Sequence, residues 1–321
     1  MKKFALTFAG QGSQSIGMMA GFDSLPIVKT TFDEASDLLG ADLWKMVADG
    51  PTDALAQTIN TQPVMLTAGV ATFRAWRKLG GKDADVYAGH SLGEYTALIA
   101  AGALSFADAV PLVRFRAQAM QDAVPEGTGG IAAILGLEVD VINAICIEAA
   151  AGEVLEAVNL NSPGQIVIAG HKTAVERGMA LAKERGAKRA LLLPMSVPSH
   201  CALMKPAAEK LAEYLKNVAI VVPTKPVIQN ADVMAFTDSA LIKNALVEQL
   251  YRPVRWIETI QSIAKQGATT VIECVPGKIL TGLNRRIEPS LSCLAITDIA
   301  SLMTAMEATA ATNATAMTHD A

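Results

Sequence analysis

Gly89-His90-Ser91-Leu92-Gly93-Glu94-Tyr95 carries the strongest fold signal in this chain. It is a G-x-S-x-G pentapeptide between a short, mostly apolar run, Ala84 to Ala88, and a small-residue stretch, Glu94 to Ala103, that reads as a helix. Strand, sharp turn and helix form the context of a nucleophile elbow in an α/β sheet. The flanking glycines let the backbone turn without a Cβ clash. The turn lifts the Ser91 hydroxyl clear of the sheet and aims the first free N–H groups of the helix at whatever Ser91 attacks. Ser91 is the candidate nucleophile; the plain alternative is a serine that merely starts a helix.

Working outward, Lys3–Phe8 reads as a first buried strand running into a Gly-rich loop. Helices are expected near 27–39 and 62–79, then the Val86 strand, the elbow helix, and a helix from Ser105 to Gln121. Pro125-Glu126-Gly127-Thr128-Gly129-Gly130 is a linker by composition. Beyond it the pattern changes to strand Ile131–Leu137, helix Val139–Ala150, strands Val154–Asn159 and Gln165–Ala169, helix Thr173–Arg185 and strand Lys188–Leu193. That β-α-β-β-α-β order is the ferredoxin-like unit.

The later chain returns to alternating helices and strands: a helix from His200 to Lys216, a strand at Val227–Gln229, helices near 239–250 and 254–266, strand Thr269–Glu273, and a last helix, strand and helix from Lys278 to Glu307. The expected fold is α/β: a large α/β-hydrolase-like domain, 1–127 and 196–310, with a mainly parallel sheet covered on both faces, and a small ferredoxin-like subdomain inserted at 128–195. The Ala/Thr-rich tail, 311–321, is expected to be disordered.

Composition narrows the function classes. A formal charge of −4 over 321 residues is too mild to point to nucleic acid or a membrane surface. No run is long enough to span a bilayer. The apolar start is short for a signal peptide and leads straight into Gln11-Gly12-Ser13-Gln14. The four cysteines are widely spaced, with no C-x-x-C, so neither a zinc site nor a disulfide framework is signalled. A cytoplasmic protein with reduced thiols is expected.

An unactivated serine needs a base beside it. The chain has four histidines. His90 adjoins Ser91, and successive residues in a tight turn diverge. His319 lies in the tail. His171 opens a helix of the insert and reads as an exposed helix-start residue. His200, in Val197-Pro198-Ser199-His200-Cys201, lies where the chain re-enters the large domain, and clefts form at such junctions. His200 is the favoured base. No Asp or Glu stands out as a third group to orient the imidazole.

Two further features bear on chemistry. Ala9-Gly10-Gln11-Gly12-Ser13-Gln14 follows the first strand. It has Ser15 where a dinucleotide fingerprint needs glycine, which weakens that reading. The other reading is a loop whose amides approach a ligand, with the Gln11 and Leu92 N–H groups as an oxyanion hole. In the 105–121 helix, Arg114 falls on the wet side. Arg116 falls on the apolar face, near Ala109, Leu112, Ala119 and Met120. An arginine there must be paired or must line a cavity. Its planar fork suits a substrate carboxylate, and the bland alternative is a structural ion pair or a snorkelling side chain.

Together these motifs, with Asn161-Ser162-Pro163-Gly164-Gln165 and Pro198-Ser199-His200-Cys201-Ala202-Leu203-Met204, resemble the bacterial malonyl-CoA:acyl-carrier-protein transacylases of type II fatty-acid synthesis. The resemblance covers Lys3 to Glu307. It implies Ser91 as acyl carrier, His200 as base, Gln11 and Leu92 as oxyanion hole and Arg116 as clamp for the malonyl carboxylate. It implies that the main-chain carbonyl of Gln249 orients His200, and that Gln62, His90 and Asn161 belong to the substrate pocket. The implied partners are malonyl-CoA and an acyl carrier protein, with no metal or redox cofactor, and a monomer is expected. The basic cluster Lys183, Arg185, Lys188 and Arg189 is a candidate dock for an acidic carrier protein. Two departures stand out: Ala9 where the family has proline, and Val275-Pro276-Gly277-Lys278 where it has G-P-G-K. A serine hydrolase built on the same elbow, and a non-catalytic scaffold that binds the carrier protein, are the rival readings.

Overall fold

The computed structural model describes residues 3–194 and 197–310. In chain order the elements are β1 (Lys3–Phe8), α1 (Pro26–Leu39), α2 (Leu43–Asp49), α3 (Thr52–Ala56), α4 (Thr58–Lys78), β2 (Val86–Gly89), α5 (Gly93–Ala100), α6 (Phe106–Ala123) and β3 (Gly129–Leu135). There follow α7 (Val139–Ala150), β4 (Leu155–Ser162), β5 (Gln165–His171), α8 (Lys172–Glu184), β6 (Arg189–Leu192), α9 (Lys205–Leu215) and β7 (Val227–Ile228). The last are α10 (Ser239–Glu248), α11 (Trp256–Lys265), β8 (Ala268–Glu273), α12 (Ile279–Ile287), β9 (Ser292–Ala295) and α13 (Ile299–Thr309).

One sheet has the order β7-β2-β1-β8-β9 and its pairs are parallel. β1 lies at its centre. After Lys3, every residue of β1 is buried, which is why its sequence is a near-continuous apolar run, broken by Thr7, and not an alternation. Phe8 pairs with Gly89, so β1 and β2 end side by side. The loop after β1 and the elbow after β2 therefore open on the same edge, where parallel sheets bind ligands.

The second sheet is antiparallel, with the order β4-β5-β3-β6. That is the strand order of the ferredoxin-like unit. α7 and α8 cover one face with a core of its own, including Ile134, Ile142, Ile145, Ile166 and Ile168. The other face carries Ile131, Val158, Val167 and Ala169 against Cys201. Bonds from Leu160 N to Val254 O (3.0 Å) and from Val254 N to Val158 O (2.9 Å) tie β4 to the segment before α11.

Sequence periodicity misses α2 and α3, two short helices whose few apolar residues give no repeat. The expected helix from His200 begins instead as a 3-10 turn, Ala202–Met204, before α9. The proposed 195/196 boundary and the 311–321 tail lie outside the described residues. Among the described residues no helix is long and apolar enough to cross a membrane. The four cysteines are free and buried.

Candidate active site

The elbow is built by contacts that only glycine permits. A Cβ on Gly89 would lie 1.9 Å from the Gly93 carbonyl group, and one on Gly93 would lie 2.0 Å from Phe8 O. These approaches pack α5 against the ends of β1 and β2. Ser91 takes φ +53°, a left-handed conformation that costs energy in any residue with a side chain.

In that conformation Ser91 Oγ lies 2.8 Å from His200 Nε2. His200 is itself left-handed, φ +67°, and almost wholly buried. Its Nδ1 lies 2.6 Å from the carbonyl oxygen of Gln249. A carbonyl only accepts, so Nδ1 carries the proton and Nε2 is left as the acceptor facing Ser91. Burial first, then the nearby Arg116 charge, push the His200 pKa down to about 3, against the raising effect of the Gln249 carbonyl. The imidazole is neutral at pH 7.

Arg116 is 1% exposed. Its Nη1 donates to Gln62 Oε1 (2.8 Å) and its Nη2 to Gln249 Oε1 (2.8 Å). Nη2 also lies 3.5 Å from Ser91 Oγ, and Nε has no partner. The guanidinium carbon lies 5.5 Å from the centroid of the Tyr95 ring, within reach of a cation–π attraction. Among the described residues no carboxylate forms an ion pair with it. Arg116 lies on the buried face that the sequence predicts because α6 is regular, capped by Ser105 Oγ on the Asp108 N–H. Arg114 differs from expectation: it is half-buried, held by Ile59 O and Asn60 Oδ1.

The loop after β1 sits against the elbow. A Cβ on Gly10 would lie 2.5 Å from His90 O and 3.4 Å from Leu92 N. Gln11 and Leu92 both line the cleft, and among the described residues neither amide N–H has a hydrogen-bond partner. The Gln11 side chain is held away by Thr58 Oγ1, at 2.8 Å. The cleft encloses about 480 Å³ between the two sheets. Its lining includes Ser91, His200 and Arg116 and, from β4 and β5 of the antiparallel sheet, Asn161, Gln165 and Val167.

The remaining expected residues divide. His90 Nε2 meets Asn161 Oδ1 at 2.8 Å, and both line the cleft. Burial lowers the His90 pKa. Gln62 is buried behind Arg116 and is not on the cleft wall, so its contact is with the guanidinium. His171 is not simply exposed: its Nδ1 accepts from Val154 N at 2.9 Å. Lys188, just before β6, and Arg189, its first residue, are exposed, and the chain after β6 continues to cleft residues Leu193 and Pro194.

Sequence reading missed three groups. Asn230 Oδ1 accepts from Ser91 N (2.7 Å), and its Nδ2 donates to Gly89 O (2.6 Å). Glu94 Oε2 accepts from Asn230 N (2.7 Å); its carboxyl is fully buried and pushed up to about 8 by that burial. The Gln249 side chain bridges Arg116 and Ser91 O (3.0 Å). No motif marks Asn230; its only signal is a polar pair, Gln229-Asn230, closing an apolar strand. Among the described residues no three His, Cys, Asp or Glu side chains cluster as metal ligands would.

Comparison with known proteins fits this geometry. The chain matches the acyl transferase domain over residues 6–297. It belongs to the acyl transferase family. It is 54% identical to the malonyl CoA-acyl carrier protein transacylase of Salmonella typhimurium, over 95% of this chain and 99% of the relative. Its fold matches that of an acyl-carrier-protein S-malonyltransferase from Burkholderia pseudomallei with a TM-score of 0.94, at 56% identity over 95% and 99% of the two chains. It matches equally well, with a TM-score of 0.94 at 51% identity over 95% and 99%, a malonyl-transacylase in complex with a type II polyketide acyl-carrier protein. The acyl transferase fold thus accounts for both sheets and the cleft between them.

Proposed function

We propose that this acyltransferase moves a malonyl group from malonyl-CoA to the phosphopantetheine thiol of an acyl carrier protein, through a malonyl ester on Ser91, and so feeds fatty-acid elongation. The observation that carries this reading is the buried Arg116 guanidinium, without a carboxylate partner, 3.5 Å from Ser91 Oγ. A buried cation is costly unless paired. A dicarboxylic acyl group brings its own carboxylate; an enzyme for neutral acyl chains has no use for such a charge. The relatives named as malonyl transacylases support the same substrate.

The steps follow from the groups present. His200 Nε2 takes the Ser91 proton as Oγ attacks the thioester carbonyl. The Gln11 and Leu92 amides hold the tetrahedral oxyanion; losing one such donor typically costs about 10²–10³ in rate. His200 returns the proton to the departing sulfur as the C–S bond breaks, and CoA leaves. The carrier-protein thiol then enters and reverses the steps, giving ping-pong kinetics. The carbonyl of Gln249 fixes the imidazole where other triads use a carboxylate. His90 and Asn161, bonded to each other, line the pocket that receives the acyl thioester. The scheme draws on no metal or redox cofactor. Every group comes from one chain, so a monomer suffices, and we assign the reaction to the cytoplasm. Lys188 and Arg189 form part of the surface that receives the acidic carrier protein.

Incubation with malonyl-CoA and phosphopantetheinylated carrier protein tests this reading. Malonyl-carrier product is expected. Rapid release of free malonate without that product would instead make the chain a hydrolase.

A further inference from the structure

Ser91 is held by more than its own turn. Its backbone is left-handed, so its N–H and the Gly89 carbonyl need partners from outside the elbow. One planar amide serves both: Asn230 Oδ1 accepts from Ser91 N at 2.7 Å and Nδ2 donates to Gly89 O at 2.6 Å. Asn230 is fully buried. It is fixed in turn by its own N–H, donated to Glu94 Oε2, and by its carbonyl, which accepts from Arg255 N at 3.2 Å. It stands two residues past β7, which pairs with β2 through Ile228 and Ala88. Parallel neighbours thus deliver it to the elbow.

We propose that Asn230 is a positioning residue for the transfer reaction: its side-chain amide clamps Gly89 and Ser91 in the strained geometry that brings Ser91 Oγ to His200. By occupying the Ser91 N–H, it leaves the Leu92 amide as the elbow's open donor. The proposal rests on Ser91 as acyl-carrying nucleophile. The clamp needs an acceptor and a donor on one short planar group, which asparagine supplies. Aspartate has the same shape, but when ionised it offers only acceptors and sets a negative charge against the Gly89 carbonyl. The charged and titratable groups around the clamp are His90 within the elbow, Glu94 from α5, Arg116 from α6, His200, Asp232 from the same loop, and Arg252 and Arg255 from the segment before α11. Glu94 is neutral at pH 7, its carboxyl pushed up to about 8.

Single-turnover acylation by malonyl-CoA, read by quenching and intact mass on the full chain, tests the clamp in Asn230→Ala and Asn230→Asp. In Asn230→Ala the acylation rate is expected to fall about 100-fold, as for a catalytic group displaced by about 1 Å. Affinity for malonyl-CoA should stay within about threefold, because no substrate contact is lost. Asn230→Asp should be as slow at pH 8, then gain about tenfold or more toward pH 5, where a protonated carboxyl again donates to Gly89 O. The parent chain should show no such rise. If Asn230→Ala fails to fold, the isosteric aspartate variant decides. Acylation of Asn230→Ala within about threefold of the parent, equal losses in rate and affinity, or an aspartate pH profile parallel to the parent would overturn the clamp. A parent chain that takes no malonyl at Ser91 would sink the nucleophile reading, and the clamp with it.

Discussion

Replacing Arg116 with alanine separates acyl choice from acyl transfer. Arginine has five N–H donors. Two are engaged by Gln62 and Gln249 at 2.8 Å, a third faces Ser91 Oγ at 3.5 Å, and Nε has no partner. Enough of the fork is free to bind a carboxylate through two bonds. Each hydrogen bond to a charged group is worth about 1.5–3 kcal/mol, so two supply about 3–6 kcal/mol. At about 1.4 kcal/mol per decade, kcat/KM for malonyl-CoA should fall about 10²–10⁴-fold. Acetyl-CoA makes neither bond, and in the parent it would bury the cation unpaired. Its kcat/KM should therefore hold or rise, inverting much of the preference. The variant leaves Gln62 Oε1 and Gln249 Oε1 unpaired, each a loss of about 1–3 kcal/mol of stability. Removing a buried charge offsets part of that. The assay is carrier-protein acylation from each CoA ester, with thermal unfolding followed in parallel. Equal losses for malonyl and acetyl transfer, in a folded variant, would refute the clamp.

Other outcomes follow from the same site. Because the His200 pKa is held near 3, the base stays neutral well below the ordinary histidine range. The acid limb of kcat/KM should lie far below pH 6.5, and a limb between 6 and 7 would contradict the buried, neutral imidazole. Glu94 has a folded pKa raised to about 8, so its stabilising share is full below about pH 4.5 and is lost as pH rises through 8. Glu94→Gln, measured by urea unfolding, should gain on the parent by up to about 1.4 kcal/mol per pH unit between 5 and 8. A pH-independent difference would mean that Glu94 ionises freely. Reversing Lys188 and Arg189 to Glu should raise KM for the carrier protein and spare that for malonyl-CoA; equal effects on both would remove β6 from the docking surface.

The site was legible in the sequence wherever chemistry coincided with a local motif. Gly89 to Gly93 spelled out the elbow, because close approaches there admit only glycine. Arg116 was found because a regular helix lets burial be plotted. The insert was legible because its strands and helices are short, regular and set apart by a Gly/Pro-rich linker. What stayed hidden depends on tertiary approach. A backbone carbonyl has no sequence signature, so the Gln249 contact to His200 came from resemblance alone. Its side-chain bonds to Arg116 and Ser91 were not foreseen. Asn230 and Glu94 act through contacts 139 and 136 residues apart in the chain, and only the β7-β2 pairing brings them together. Gln62 lies behind Arg116 and not on the cleft wall, since sequence does not distinguish a wall residue from one that holds a wall residue.

If Ser91 carries the malonyl group, intact mass will show it. Malonyl-CoA without carrier protein should add one malonyl group, mapped by peptide fragmentation to Ser91 and discharged when the carrier thiol is supplied. Ser91→Ala should gain nothing and turn over nothing. An adduct on another residue, or turnover that survives in Ser91→Ala, would contradict the account.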